Sequence, residues 1–194
     1  MRKLILASSS PRRKALMEKT GIPFVVEPSS FEENMQQAKP AIDLANELSL
    51  GKAQDVAVKH PGEDAVILAA DTFVVLDNAF LGKPKSREEA KEMLKKLSGK
   101  IHHILTSFTI IDTTTGKTYT DCIDSSIQMK NLSEKEIEDY LDKGTYTDKA
   151  GAYAIQEVKD TFVTEIEGDY DSIVGLPVVD VINHLQDFGI YPLA

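Results

Sequence analysis

A chain of 194 residues with 42% hydrophobic side chains can bury a substantial core in one domain, with room for a subsidiary lobe. Its net charge of −9 argues against a surface for nucleic acid or anionic membrane, so an anionic small substrate needs a local basic cluster inside an acidic body. The one cysteine, Cys122, excludes an intrachain disulfide and a cysteine zinc cage, and it suits a reducing cytoplasm.

Arg2-Lys3 followed by Leu4 to Ala7 is too short an apolar stretch for a signal peptide. The longest apolar run, Ala65 to Leu76, is broken by Asp71 and Thr72, so no bilayer span is expected. These features predict a soluble, cytoplasmic protein.

Leu4-Ile5-Leu6-Ala7 predicts a buried strand running into Ser8-Ser9-Ser10-Pro11-Arg12-Arg13. Pro11 suits the first position of a helix and Ser10 its N-cap. A strand, a hydroxyl-rich turn and a helix start aim N–H groups at one spot, and two guanidinium forks suit phosphate. The same spacing also describes a capped helix start with two solvated arginines. The helix is expected to end at Gly21, and Ile22-Pro23-Phe24-Val25-Val26 reads as a second strand.

Glu32-Glu33 lies in a polar loop, as a solvated pair or as a source of one hard oxygen ligand for a divalent cation. A helical pattern runs from Ala41 to Lys59 through Gly51; by spacing alone Lys52 within it is a surface lysine. Ala65 to Ala70 predicts the central strand, ending at Asp71-Thr72. Ligands of open α/β sheets gather beyond the carboxyl ends of strands, which favours a functional Asp71 over a turn cap. Phe73 to Leu76 continues to an Asp77-Asn78 turn, and the return through Gly82-Lys83-Pro84 brings Lys83 back towards Asp71. That pairing reads equally as a salt bridge or as a cation beside a metal-binding carboxylate.

Ser86 with Glu89 and Ser133 with Glu136 predict capping boxes on two helices. Ile101–Asp112 and Thr118–Met129 read as strands joined by a turn. His102 and His103 are adjacent and so face opposite sides of a strand, which favours structural roles for both. Asp148 to Gln156 places small residues around Gly151, where backbone can approach a ligand, and Gln156 offers an amide that can read a base edge; alone, it is a strand entry. Phe162 to Glu167 is a further strand, and Gly175-Leu176-Pro177 opens a final helix.

The serine-rich stretch, Ala70-Asp71-Thr72, Gly82-Lys83-Pro84, the run from Asp148 to Gln156, and Gly175-Leu176-Pro177 stand in the order and spacings of the Maf family. The resemblance covers the whole chain. It implies one Maf-like domain over residues 1–194, with an α/β fold similar to that of inosine triphosphatases: a mixed twisted sheet flanked by helices. It also implies a nucleoside triphosphate pyrophosphatase that uses a divalent metal, Mg or Mn, to yield monophosphate and pyrophosphate, and it suggests a homodimer. The family is associated with inhibition of septum formation, so the alternative is a nucleotide-binding regulator of cell division with weak hydrolysis.

The branch acting on dTTP and UTP carries Arg12, Thr72 and Gln156 as they stand here; the branch acting on 7-methyl-GTP differs around all three. Glu157 stands where the family usually has glycine, a substitution that strains the backbone if φ is positive there. By resemblance Asp71 is the proton acceptor, and Arg12, Thr72 and Gln156 complete the catalytic set. Arg12, Arg13, Lys52 and Lys83 clamp phosphate charge, Ser8 and Ser10 give hydroxyl and N–H contacts, and Gln156 and Thr72 orient the base. Glu33 and Asp71 hold the metal. A carboxylate on a metal is a poor base, so these two divide the jobs in an order the sequence leaves open.

Overall fold

The computed structural model describes residues 2–32 and 39–192. The order of elements is β1 (Lys3–Leu6), α1 (Pro11–Glu18), β2 (Val25–Val26), α2 (Ala41–Ala57), β3 (Ala65–Leu76), β4 (Ala79–Leu81), α3 (Arg87–Leu97), β5 (Ile101–Asp112), β6 (Thr118–Met129), α4 (Glu134–Leu141), α5 (Ile155–Phe162), β7 (Val163–Glu167), α6 (Tyr170–Val174) and α7 (Val178–Gln186). Strand order is β2-β1-β3-β5-β6-β7, with β4 pairing β3. β1 runs parallel to β2 and β3, whereas β3–β4 and β6–β7 are antiparallel. The expected α/β class with a mixed sheet and flanking helices is therefore the observed one.

The chain divides into two compact units, residues 1–71, 106–123 and 175–194, and residues 72–105 and 124–174. In the first unit, Ile5, Ile67, Ala69 and Ile111 from the strands and Ala7 just past β1 pack with Ala53 and Val56 of α2 in a buried cluster. Ala at the helix contact lets α2 lie close to the strands, which sets the depth of any side chain it presents. At Gly51 of α2 a Cβ would stand 2.4 Å from the Phe31 ring, so glycine leaves room for that ring. In the second unit, α3 and α4 bury Leu94, Leu97, Ile137 and Leu141, and Tyr140 meets Phe162 edge-on at 5.5 Å.

Four expectations are corrected. β2 is only Val25–Val26, because Pro23 has no N–H to give a ladder. Asp71 stands inside β3, which continues unbroken to Leu76, and not beyond a carboxyl end. The Ser86–Glu89 box is half made: Ser86 Oγ accepts from the Glu89 N–H at 3.1 Å, but Glu89 Oε2 accepts from the Lys85 N–H at 2.7 Å, one residue early. Asp148 to Gln156 is not a strand entry but a tight turn at Ala150–Ala152 followed by the start of α5. By contrast the Ser133–Glu136 box is complete. Asp77 and Asn78 both take positive φ, as a two-residue hairpin turn demands.

Gly151 illustrates why that turn needs its glycine. It has φ of +68°, its N–H donates to the Gly82 carbonyl at 3.1 Å, and an added Cβ would lie 3.1 Å from the Val74 side chain. The close approach expected for a ligand is thus made to β3. Gly151→Ala is expected to cost about 1–3 kcal/mol, from backbone strain and overpacking together, measured by urea denaturation. A loss below 0.5 kcal/mol, roughly that of an ordinary surface change, would contradict it.

Candidate active site

In the first unit the serine-rich turn does what its residues predict. The Ala7 N–H donates to the Leu68 carbonyl at 2.7 Å, which carries the chain alongside β3 as far as Ser8. Ser10 caps α1, its Oγ accepting from the Arg13 N–H at 3.4 Å. Ser8 Oγ accepts from the Ser10 N–H at 3.2 Å and from Arg13 Nη1 at 3.3 Å. Arg13 Nε donates to the Gly175 carbonyl at 2.8 Å. The guanidinium is thus held from two sides, and its Nη2 lies 3.9 Å from Asp71 Oδ1. Arg12, its neighbour at the start of α1, is half-buried.

Lys52 completes this group, and the surface reading of it is corrected. Its Nζ lies 2.9 Å from Asp71 Oδ2, and its side chain is only 13% exposed. A row of buried hydroxyls holds α2 at this depth: Ser49 Oγ lies 2.8 Å from Ser107 Oγ and 2.9 Å from Thr109 Oγ1, and Ser107 donates to Asn46 Oδ1 at 2.7 Å. Ser49 precedes Lys52 by three residues, so the two share a helix face. Asp71 is therefore a buried carboxylate with two cations about it, and the local balance is positive within an acidic chain. That charge, with a capped helix start beside it, is suited to polyphosphate.

The other expected residues lie in the second unit. Thr72 follows Asp71 in β3, and successive strand residues face opposite sides, which separates the two side chains. Lys83 is exposed, two residues beyond the last pair of the β3–β4 hairpin. Gln156 is exposed at the second residue of α5. Glu157 is helical, so the strain expected of a residue replacing glycine is absent. Its carboxylate accepts from Tyr140 Oη at 2.8 Å and from Thr145 Oγ1 at 2.7 Å. Burial pushes the Glu157 carboxyl up, but these hydrogen bonds and Lys149 outweigh it and hold it below the ordinary range.

Residue-by-residue reading missed three features: the Gly175 carbonyl as an anchor for Arg13, the Glu157 cluster, and the tyrosine partner of His102. His102 is fully buried with Nε2 2.5 Å from Tyr153 Oη, while His103 is exposed and pairs with Asp124. Alternation foretold the opposite faces; nothing local foretold the tyrosine.

Glu33 lies outside the described residues. Among the described residues no three His, Cys, Asp or Glu side chains gather as a metal cage. Asp71 remains a fitting donor nonetheless, because Mg²⁺ is often held by one or two carboxylates together with substrate phosphate oxygens. No helix of the described residues is long and apolar enough to cross a membrane.

A family model described as Maf-like protein matches residues 3–188. Proteins named dTTP/UTP pyrophosphatase are similar along nearly their whole length. That of Alkaliphilus oremlandii is 45% identical over 92% of this chain and 92% of its own. That of Clostridioides difficile is 44% identical over 90% and 89%, and that of Bacillus anthracis 42% over 98% and 97%. Among solved structures, the Staphylococcus aureus Ham1 protein aligns with a TM-score of 0.43 at 12% identity, covering 66% of this chain and 72% of that one.

Proposed function

This chain belongs to the Maf family, and from that membership we propose that it hydrolyses dTTP and UTP to the monophosphate and pyrophosphate. Modified pyrimidine triphosphates fall within the same chemistry. The observation that carries the reading is the buried Asp71 carboxylate with Lys52 Nζ at 2.9 Å and Arg13 Nη2 at 3.9 Å. A site that only binds phosphate has no need of a buried acid among its cations.

Cleavage between the α- and β-phosphates places charge on the departing pyrophosphate and on the α-phosphoryl oxygens. Arg12, Arg13, Lys52 and Lys83 meet that charge, and Ser8 and Ser10 add hydroxyl and N–H donors. The carbonyl of Gly175 and the hydroxyl of Ser8 hold the Arg13 fork in place before substrate arrives. As phosphate oxygens draw Lys52 and Arg13 to themselves, Asp71 takes the proton of the attacking water. Thr72 and Gln156 orient the nucleotide and favour a pyrimidine. With Asp71 as the base, a divalent cation, Mg or Mn, would be held by Glu33 together with phosphate oxygens, and would supply charge neutralisation and a more acidic water. The reading extends to a homodimer and a cytoplasmic setting, the first of which sedimentation tests directly.

Pyrophosphate release across dTTP, UTP, CTP, 7-methyl-GTP and ITP, with and without magnesium or manganese, tests the function. Metal-dependent release favouring dTTP and UTP is expected. A purine preference would overturn the base assignment. No release from any triphosphate, with nucleotide binding intact, would replace the enzyme by a regulator.

A further inference from the structure

The N-terminus of α5 is built without a side-chain cap, because its N-cap residue is Ala154. The position is served instead through a relay. The Ala154 N–H donates to Tyr140 Oη at 3.4 Å, and Tyr140 Oη donates to Glu157 Oε2 at 2.8 Å. Glu157 is the third residue of the helix, where a glutamate ordinarily reaches back to the N-cap N–H itself. Here a tyrosine from α4 stands between the two.

Glu157 also accepts from Thr145 Oγ1 at 2.7 Å, and Lys149 Nζ lies 3.6 Å from its Oε1. Lys149 in turn donates to the Thr145 carbonyl and pairs with Asp148 at 2.9 Å. One carboxylate therefore ties together α4, the loop after it and the first turn of α5. Tyr140 is 2% exposed and Lys149 8%, whereas Glu157 and Thr145 are exposed, so the network is anchored on two buried groups and opens to solvent at the carboxylate. Burial first, then the bond to Glu157, pushes the Tyr140 hydroxyl up, which keeps it a donor.

Gln156 stands between the two ends of the relay. Ile155 before it is buried, and Glu157 after it is clamped, so its backbone is held while its side chain remains exposed. We propose that Glu157, through Tyr140, is the positioning residue that aims Gln156 at the nucleotide base and so sets pyrimidine selectivity. The proposal rests on the reading of Gln156 as the base-orienting residue. It gives Glu157 a function of its own in place of the glycine usual in the family.

The test compares KM and kcat for dTTP, UTP and CTP in the wild type, Glu157→Ala, Glu157→Gln and Tyr140→Phe, with thermal stability measured in parallel. Glu157→Ala is expected to raise KM for dTTP and UTP about 10-fold and to narrow the preference over CTP, with kcat within about twofold. Glu157→Gln restores KM to within about threefold, because its amide oxygen accepts the same bonds. Tyr140→Phe keeps the ring and breaks the relay, so it reproduces the KM shift even if Glu157→Ala does not fold. Wild-type KM and selectivity in Tyr140→Phe and in any folded Glu157→Ala would reduce the carboxylate to a structural role. A wild type without dTTP and UTP preference overturns the functional reading and this inference with it, and is seen before any variant is made.

Discussion

Asp71→Asn is expected to lower kcat for dTTP hydrolysis by about 10²–10⁴-fold, the range over which a positioned general base contributes. The amide keeps the size and shape of the side chain but cannot take a proton from water. Its effect on binding should have the opposite sign or none. The carboxylate lies 2.9 Å from Lys52 Nζ and 3.9 Å from Arg13 Nη2, so it competes with phosphate oxygens for both cations. Removing its charge leaves those cations to the triphosphate, and dTTP affinity should stay the same or tighten. Single-turnover pyrophosphate release and equilibrium dTTP binding on the same preparation separate the two effects. A kcat within threefold of wild type would remove Asp71 from the chemistry. A lower kcat accompanied by lost binding would make it a positioning group for Lys52 and Arg13 instead.

Acidification from about pH 6.5 to about 4 is expected to cost the fold about 3 kcal/mol through His102 alone. The imidazole is fully buried, and burial, helped by repulsion from His103, lowers it from 6.5 to about 4. Its Nδ1 has no hydrogen-bond partner among the described residues, so a proton there has nothing to donate to. Through that window the unfolded chain takes up a proton that the folded chain refuses. Stability is therefore full above the unfolded value and is lost as pH falls towards the folded one. Below it both forms are protonated and the loss stops. Urea denaturation of the wild type and of His102→Gln, which keeps a partner for Tyr153 Oη but does not titrate, measures the His102 contribution as a difference in pH profile. Parallel profiles between pH 4 and 6.5 would refute it.

The elements with local chemistry were legible in advance. Ser10 and Pro11 start α1, Asp77-Asn78 turns the β3–β4 hairpin, and β5 and β6 end where alternation and the turn at 113–116 end them. Misreadings fell where two local signals compete. Gly151 and its small neighbours satisfy a strand entry as well as a tight turn, and only Val74 packed against Gly151 shows which. Glu33, expected as a metal ligand, lies outside the described residues.

Backbone chemistry acts over one to four residues, so caps, turns and strand periods are written into neighbouring side chains. On that basis the serine-rich turn, its N-cap at Ser10 and the helix start at Pro11 could be read without coordinates. Side-chain partners obey no such spacing. Lys52 reaches Asp71 because alanines and buried hydroxyls set α2 close to the strands. Arg13 is held by a carbonyl from the other end of the chain, and Glu157 by a tyrosine on another helix. Packing brings these groups together, and packing depends on every residue of the core at once.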